Sequence, residues 1–427
     1  MRMFESSAVN SKPSGLDTIR DVVDAHLCCG CGACAYLEPD QFRMDEVPGV
    51  GRRPLQIVGV TGGPTPEAVA ACPGRRLAHP PEVLVDSPFG GAWGPVLGVY
   101  ECWATDDELR YRGSSGGVIS ALAVHALESG SAVGTLGVRA RRDAPLLNET
   151  VLNRSREDVL NSAGSRYAPA SPCQRLDLVE NAEGPCVVVG KPCDIAATRS
   201  AATLRPALGD KVALTIGIFC AGTPSTQATE QVIASLGLDP ASTVRVDYRG
   251  EGWPGSFRVE TSDGRRGETT YAEAWGGTLA KHRQWRCQIC PDHTGEFADL
   301  SVGDPWYREV AEDEPGRSLV VVRTSRGQAA LDRALRDGAL QGGPIATQYL
   351  PEAQPHLQMA RGAVWARVLT MRLAGLRTPL YENLPSARLW WALSFKRKRS
   401  SVLGTVRRIV SRGLRRPEPG RGDLEQP

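Results

Sequence analysis

The sequence predicts an α/β fold, α+β overall, with a partly parallel sheet in its core. Three observations carry this. Short apolar runs of strand type alternate with helical patterns through the middle of the chain, the arrangement that builds βαβ units. The 427 residues, 41% hydrophobic and 23% charged, are enough to bury a core and to form two or three domains. Proline-rich stretches at 48–54 and 80–95 read as loops or linkers, and the second suggests a boundary near residue 85. With 46 glycines and 31 prolines the chain is loop-rich but not of low complexity.

The elements follow in order. Val118–Glu128 sets Val118, Ile119, Leu122, Ala123, Ala126 and Leu127 at helical spacing, with Gly130 as the stop. Ser131–Val138 is of β type. Pro185–Val189 reads as a buried strand, and a helix is expected to start over Asp194–Arg199. Val212–Phe219 is a second apolar strand. Val244–Tyr248 and Ser256–Glu260 alternate as half-buried strands, and Leu300–Val302 and Leu319–Arg323 are further candidates.

A net charge of +2 is too small to argue for nucleic acid binding overall. The opening residues MRMFESSAVNSKPSG hold no apolar stretch of signal type. The longest apolar runs, around 118–127 and 212–221, fall short of the ~18 residues a spanning helix needs. A soluble cytoplasmic protein is therefore expected. In that compartment the twelve cysteines point to metal or redox chemistry rather than to disulfides.

Cys28, Cys31 and Cys34 form C-x2-C-x2-C, and Cys72-Pro73 follows. Three thiolates at this spacing can wrap one cubane, glycines let the backbone approach the sulfides, and a remote Cys-Pro supplies the fourth ligand. This is the ferredoxin-type pattern of a [4Fe–4S] cluster; a structural zinc site is the alternative. Cys29 reads as a spare packed thiol. A second set gathers differently. Cys193 follows one buried strand and Cys220 ends the next, and ligands in open α/β sheets collect at the carboxyl ends of strands. With the pair Cys287-Gln-Ile-Cys290, these four can hold a second [4Fe–4S] cluster; otherwise Cys193 and Cys220 are small buried hydrophobes. Cys102, Cys173 and Cys186 take that second reading. His282 and His293, nearest the second pair, read as surface or loop residues.

Arg112-Gly113-Ser114-Ser115-Gly116-Gly117 precedes the 118–128 helix. Free N–H groups, serine hydroxyls and a nearby arginine suit a phosphate or pyrophosphate; a capped helix start is the plainer reading. The residues also fit a hydrolase nucleophile elbow around Ser115, but that needs a strand immediately before, and 105–112 is polar. No G-x-G-x-x-G follows a strand, so a Rossmann dinucleotide site is not indicated.

In combination these motifs resemble the beta subunit family of coenzyme F420 hydrogenase and formate dehydrogenase, which also holds chlorophyll-type reductases such as 7-hydroxymethyl chlorophyll a reductase. The resemblance rests on Cys28–Cys34 with Cys72-Pro73, then Arg112–Gly117, Gly164–Tyr167 and Val189–Cys193. The long run from Cys287 through Asp304 to Trp306 completes it. It implies an iron–sulfur flavoprotein that binds FAD. Ser114, Ser115, Gly116 and Gly117, with Arg112, would contact the flavin or its phosphates. Ser165, Arg166 and Tyr167 would lie in the same region. Lys191, the expected catalytic residue, would face the flavin or a substrate anion. Cys193, Cys220, Cys287 and Cys290 match the family's cysteines. Asp299 and Asp304 fall in the closing run, as structural turn or catalytic residues. The implied organisation is a ferredoxin-like [4Fe–4S] segment over 1–84, an FAD-binding core with the second cysteine set over 85–345, and a C-terminal extension over 346–427.

The implied reaction passes electrons between a ferredoxin-like one-electron carrier and a two-electron acceptor, coenzyme F420 or an unsaturated organic substrate. A relay subunit docked on a larger complex is the rival, and a zinc-stabilised binding module the third reading. Residues 396–416 carry nine Lys or Arg and no acid, after an aromatic stretch at 389–395. A solvated, partly disordered tail is the plainer expectation; contact with an anionic membrane surface or an acidic partner is the alternative.

Overall fold

The computed structural model describes residues 15–57, 65–84, 87–307 and 314–418. The opening fourteen residues and the boundary expected near residue 85 lie outside them. Among the described residues fifteen strands are formed: β1 (Phe42–Val47), β2 (Gly51–Gln56), β3 (Arg76–Ala78), β4 (Gly98–Ala104), β5 (Gly134–Ala140), β6 (Asn148–Asn153), β7 (Cys186–Gly190), β8 (Val212–Ile218), β9 (Thr243–Asp247), β10 (Ser256–Thr261), β11 (Arg266–Thr270), β12 (Leu300–Gly303), β13 (Ser318–Val322), β14 (Leu340–Pro344) and β15 (Leu380–Glu382).

Eight of them build the central sheet in the order β14-β4-β13-β12-β8-β7-β5-β6. The middle four, β12, β8, β7 and β5, are parallel neighbours. The flanks β6, β13, β4 and β14 are antiparallel. Alternation along each strand divides the core. Val187 in β7 and Val320 and Val322 in β13 face one layer with the helix Val118–Glu128. Cys186 and Val188 face the other, with the helix Pro192–Leu204. Pro192 stands in the first turn of that helix, where its missing N–H costs nothing, and the Asp194 carboxylate accepts from the Lys191 N–H at 3.0 Å. A three-stranded antiparallel sheet, β11-β10-β9, packs separately around Tyr248 and Phe257.

Two expectations change. The proline stretch at 48–54 is not a linker: it makes the turn and second strand of the β1–β2 hairpin, with Pro54 opposite Met44. The basic tail is not a solvated coil. Phe395–Ser411 is a helix whose Ser401, Thr405 and Ile409, four residues apart, are buried, and it packs on the helix Pro355–Leu373. Ile409 and Leu414 join Val364 and Met371 in one core with Leu16, Ile19 and Val22, while β15 pairs with β3. The end of the chain thus covers the first cysteine segment. Among the described residues no helix is long and apolar enough to cross a membrane.

Asp299 resolves as a structural tie. Its carboxylate is buried and accepts from Thr215 N and Oγ1 at 2.8 Å, Arg199 Nη2 at 2.8 Å and Thr324 Oγ1 at 2.7 Å, joining β8, β12 and β13 from below. Asp299→Ala should lower unfolding free energy by about 3–5 kcal/mol, read as a fall in Tm. Burial raises this pKa, but Arg199, Thr324 and Thr215 outweigh it and hold it below the usual range. The stabilisation is therefore complete at neutral pH and fades below about pH 4; Asp299→Asn should lose that acid-side slope.

Candidate functional site

The first cysteine set closes as its spacing suggests. Cys28, Cys31 and Cys34 line a void of about 20 Å³, and Cys72 reaches the same void from the remote segment, beside Cys29. Gly30 and Gly32 hold φ of +74° and +90°, the left-handed region that favours glycine. A Cβ on Gly32 would stand 2.8 Å from the Gln174 nitrogen, and one on Gly30 2.7 Å from the Arg52 carbonyl oxygen. Burial pushes the Cys72 thiol up to about 11 and raises Cys34 well above the usual value.

The second set gathers where β7 and β8 end. Cys193 opens the helix after β7, Cys220 follows β8, and the short helix Trp285–Gln288 delivers Cys287 and Cys290. A Cβ on Gly222 would lie 3.1 Å from Cys287 Cβ, so this glycine is what lets the two loops close. The Thr223 N–H points at Cys287 Sγ, 3.4 Å away. Burial, with Cys287 and Cys193 as neighbours, pushes the Cys220 thiol far up, and burial raises Cys290 to about 12. Thiols this reluctant to ionise are neutral unless a metal holds them as thiolates. Among the described residues no group of three or more His, Cys, Asp or Glu side chains is arranged to hold a metal ion. Cys29 is not a bystander: its thiol meets Cys31 of the first set and Cys193 of the second. His293 is buried, not a surface residue; its Nδ1–H donates to the Cys220 carbonyl oxygen at 2.9 Å, and burial lowers its pKa to about 4.

A cavity of roughly 330 Å³ opens at the same sheet edge, within the range of cofactor sites. Its floor comes from Val189–Lys191, Ile218–Pro224 and Val302–Asp304. One wall is the Gly113–Gly117 turn and the first residues of the 118–128 helix, whose opening N–H groups have no partner within the helix. A Cβ on Gly117, at φ +70°, would fall 2.6 Å from the Leu109 oxygen. The strand β4 ends at Ala104 and the helix Asp107–Arg112 intervenes, so no nucleophile elbow forms.

The expected cofactor contacts divide. Ser114, Ser115, Gly117, Ser165, Arg166, Tyr167 and Lys191 line the cavity, with Cys220. Gly116 instead packs beneath it, its N–H on Ser318 Oγ at 2.9 Å. Arg112 points away, paired with Glu108 at 3.2 Å on a half-exposed surface. Arg166 contributes scaffold: its guanidinium donates to Asn148 Oδ1 at 2.8 Å and to the Val246 and Pro145 oxygens at 2.9 and 2.6 Å. Lys191 Nζ pairs with Asp194 Oδ2 at 2.6 Å. Burial lowers the Lys191 pKa, yet Asp194 outweighs it and keeps the amine charged.

No sequence motif announces the opposite wall. Arg249 makes a two-pronged pair with Asp304, at 2.9 and 3.0 Å, and lies over Tyr271 and Trp306 at 4.5 and 5.8 Å. Trp253 Nε1 donates to the same carboxylate at 2.9 Å. Tyr271 and Trp275 complete an aromatic face beside Tyr167. The one hint in the sequence is the Asp304-Pro-Trp306 ending of the long run.

Comparison with known proteins places the chain in a class, the subunits of electron-transfer oxidoreductases. More particularly, it belongs to the coenzyme F420 hydrogenase/dehydrogenase beta subunit family, whose N-terminal model matches residues 99–176 and whose C-terminal model matches 185–348. The coenzyme F420 hydrogenase subunit beta of Methanosarcina barkeri is 27% identical over 276 residues, covering 62% of this chain and 88% of that one. The F420-dependent formate dehydrogenase 1 subunit beta of Methanococcus maripaludis is 26% identical over 241 residues, covering 56% and 60%. A chain of the F420-reducing [NiFe] hydrogenase complex from Methanosarcina barkeri shares the fold, with a TM-score of 0.54 at 24% identity over 71% of this chain and all of that one.

Gly32→Ala should strain the first set selectively. A left-handed alanine costs about 1–2 kcal/mol, and its methyl meets the Gln174 backbone. If the first set holds metal, elemental analysis should find less of it per chain, whereas Gly137→Ala, with Asn153 Nδ2 at 3.5 Å as its nearest neighbour, should leave it unchanged.

Proposed function

We propose that the chain is an iron–sulfur flavoprotein oxidoreductase holding two [4Fe–4S] clusters and FAD. It would exchange electrons between a ferredoxin-like one-electron carrier and a two-electron acceptor, coenzyme F420 or an unsaturated organic substrate. One observation carries the reading: the two cysteine sets meet through Cys29 and Cys193, and the second shares its Cys220 loop with the cavity. The sites therefore adjoin one another. Clusters of this type move single electrons, while a flavin accepts them singly and delivers pairs.

Cys28, Cys31, Cys34 and Cys72 would hold the first cluster, and Cys193, Cys220, Cys287 and Cys290 the second. Ser114 and the N–H groups opening the 118–128 helix would bind the cofactor's phosphates. Tyr167, Tyr271 and Trp306 offer aromatic faces to its rings. Lys191, held charged by Asp194, would steady negative charge on the bound ring or on an anionic substrate. Water exclusion falls to the Arg249–Asp304 pair, which locks the aromatic wall. That several relatives are named as subunits favours a second reading, a relay within a larger complex; it predicts turnover only with a partner present.

The basic helix Phe395–Ser411 would set such a protein against an anionic membrane surface. Phe395, Val402, Leu403, Val406 and Val410 are exposed on its outer side. Lys396 and Arg407 flank them, Arg399 lies among them, and no acid interrupts, a basic and apolar surface suited to an interface.

Anaerobic purification with iron, sulfide and flavin assays tests the central reading: about eight iron and one FAD per chain are expected. Zinc without flavin would overturn it. Cys34→Ala should lower iron to about half and leave FAD in place. For the helix, vesicles of phosphatidylglycerol and phosphatidylcholine should bind the protein in a salt-sensitive way. Replacing Lys396, Arg397, Lys398 and Arg399 by Gln should abolish flotation without changing cofactor content; unchanged flotation would retire the membrane contact.

A further inference from the structure

Arg286 is the most isolated buried cation of the described fold. Its side chain is 2% exposed. Arg361, although its Nε and Nη2 also lack partners, is paired with the Glu296 carboxylate. Arg53 is paired with Glu418, and Arg323 donates to Ser301, Trp93, Pro95 and Thr294. Among the described residues Arg286 makes one hydrogen bond, from Nη2 to the Pro73 oxygen at 2.9 Å. Its Nε and Nη1 are buried with no partner, and no carboxylate among the described residues pairs with it. Tyr381 supports the guanidinium from one face at 5.6 Å, its own hydroxyl fixed on the Ile289 oxygen at 2.7 Å.

Leaving a cation and the N–H groups of two of its nitrogens unmatched in the interior is strongly unfavourable. Their location says what would match them. Arg286 directly precedes Cys287 of the second set, and its only hydrogen bond goes to the residue after Cys72 of the first. It therefore stands near both sets, close enough for its charge to act on Cys28 and Cys72 of the first and on Cys193 and Cys290 of the second. A [4Fe–4S] centre with four thiolates is anionic, and its sulfurs accept hydrogen bonds.

We propose that Arg286 is a positioning residue for electron transfer, donating the free N–H groups of Nε and Nη1 to cluster sulfurs and holding both centres at a raised reduction potential. The inference rests on the two-cluster reading above. Reduction adds negative charge, which a fixed neighbouring cation and N–H donors stabilise. The charge acts on both centres at once, so it raises each.

The test is a redox titration of the purified holoprotein, following each centre by low-temperature paramagnetic resonance, with iron counted in every sample. If the wild type holds no clusters, the underlying reading fails and Arg286 is not at issue. With clusters present, Arg286→Met should shift the reduced-to-oxidised ratio of at least one centre by about tenfold or more at fixed potential, a midpoint about 59 mV lower. Arg286→Lys keeps the charge but not the fork, so its shift should be in the same direction and smaller. Unchanged midpoints in both variants would overturn the proposal. So would a folded Arg286→Lys protein that has lost a centre, because the residue would then be needed for assembly and not for tuning. If Arg286→Met alone loses iron, the Lys variant decides by its midpoint.

Discussion

A thiol buried among other thiols resists ionisation, first because the interior solvates charge poorly and again because each neighbour that ionises repels the next. Two groups of cysteines share that constraint here, and most of the local structure serves to impose it. Left-handed glycines at 30 and 32 turn the first loop back on itself, Pro73 ends the remote segment, and Gly222 lets the Cys220 loop touch Cys287. A polynuclear metal centre would answer such a constraint, since its positive charge takes the place of the protons. The same logic gives a role to Arg286, a cation left unmatched by the protein near the two groups.

The sheet supplies the alignment. Four parallel strands end at one edge, so the loops after β7, β8 and β12 converge without strain. The second cysteine set and the cavity use the same loops, while the first set is brought up from outside by the hairpin β1–β2. That outer segment is small and could not bury enough apolar surface alone. The C-terminal helices close over it, so the two ends of the chain fold as one core although some 350 residues separate them.

Much of this is legible in the sequence. The 118–128 helix is read to the residue, because its apolar spacing and its flanking glycines agree. The strands at 186–190, 212–218 and 318–322 are buried on both faces and show as continuous apolar runs. Cys72 is assigned across nearly forty residues on its Cys-Pro signature. What is illegible has physical reasons. β14, Leu-Gln-Gly-Gly-Pro, carries residues that count against a strand and exists only because β4 pairs with it. The tail helix looks like a solvated basic run until the face at 401, 405 and 409 meets its partner. The aromatic wall draws on segments at 167, 249, 271 and 306, and no local pattern joins them. Arg112 misleads because basic residues near a glycine turn suggest phosphate, whereas its side chain is satisfied one helical turn back by Glu108.

The central claim is that two metal centres lie side by side within this one chain. Paramagnetic resonance of the fully reduced protein tests it most directly. Two neighbouring reduced clusters should broaden and split each other's signals, and Cys34→Ala should simplify the spectrum to one uncoupled centre. A wild-type spectrum that already shows one isolated centre, or none, would contradict the account.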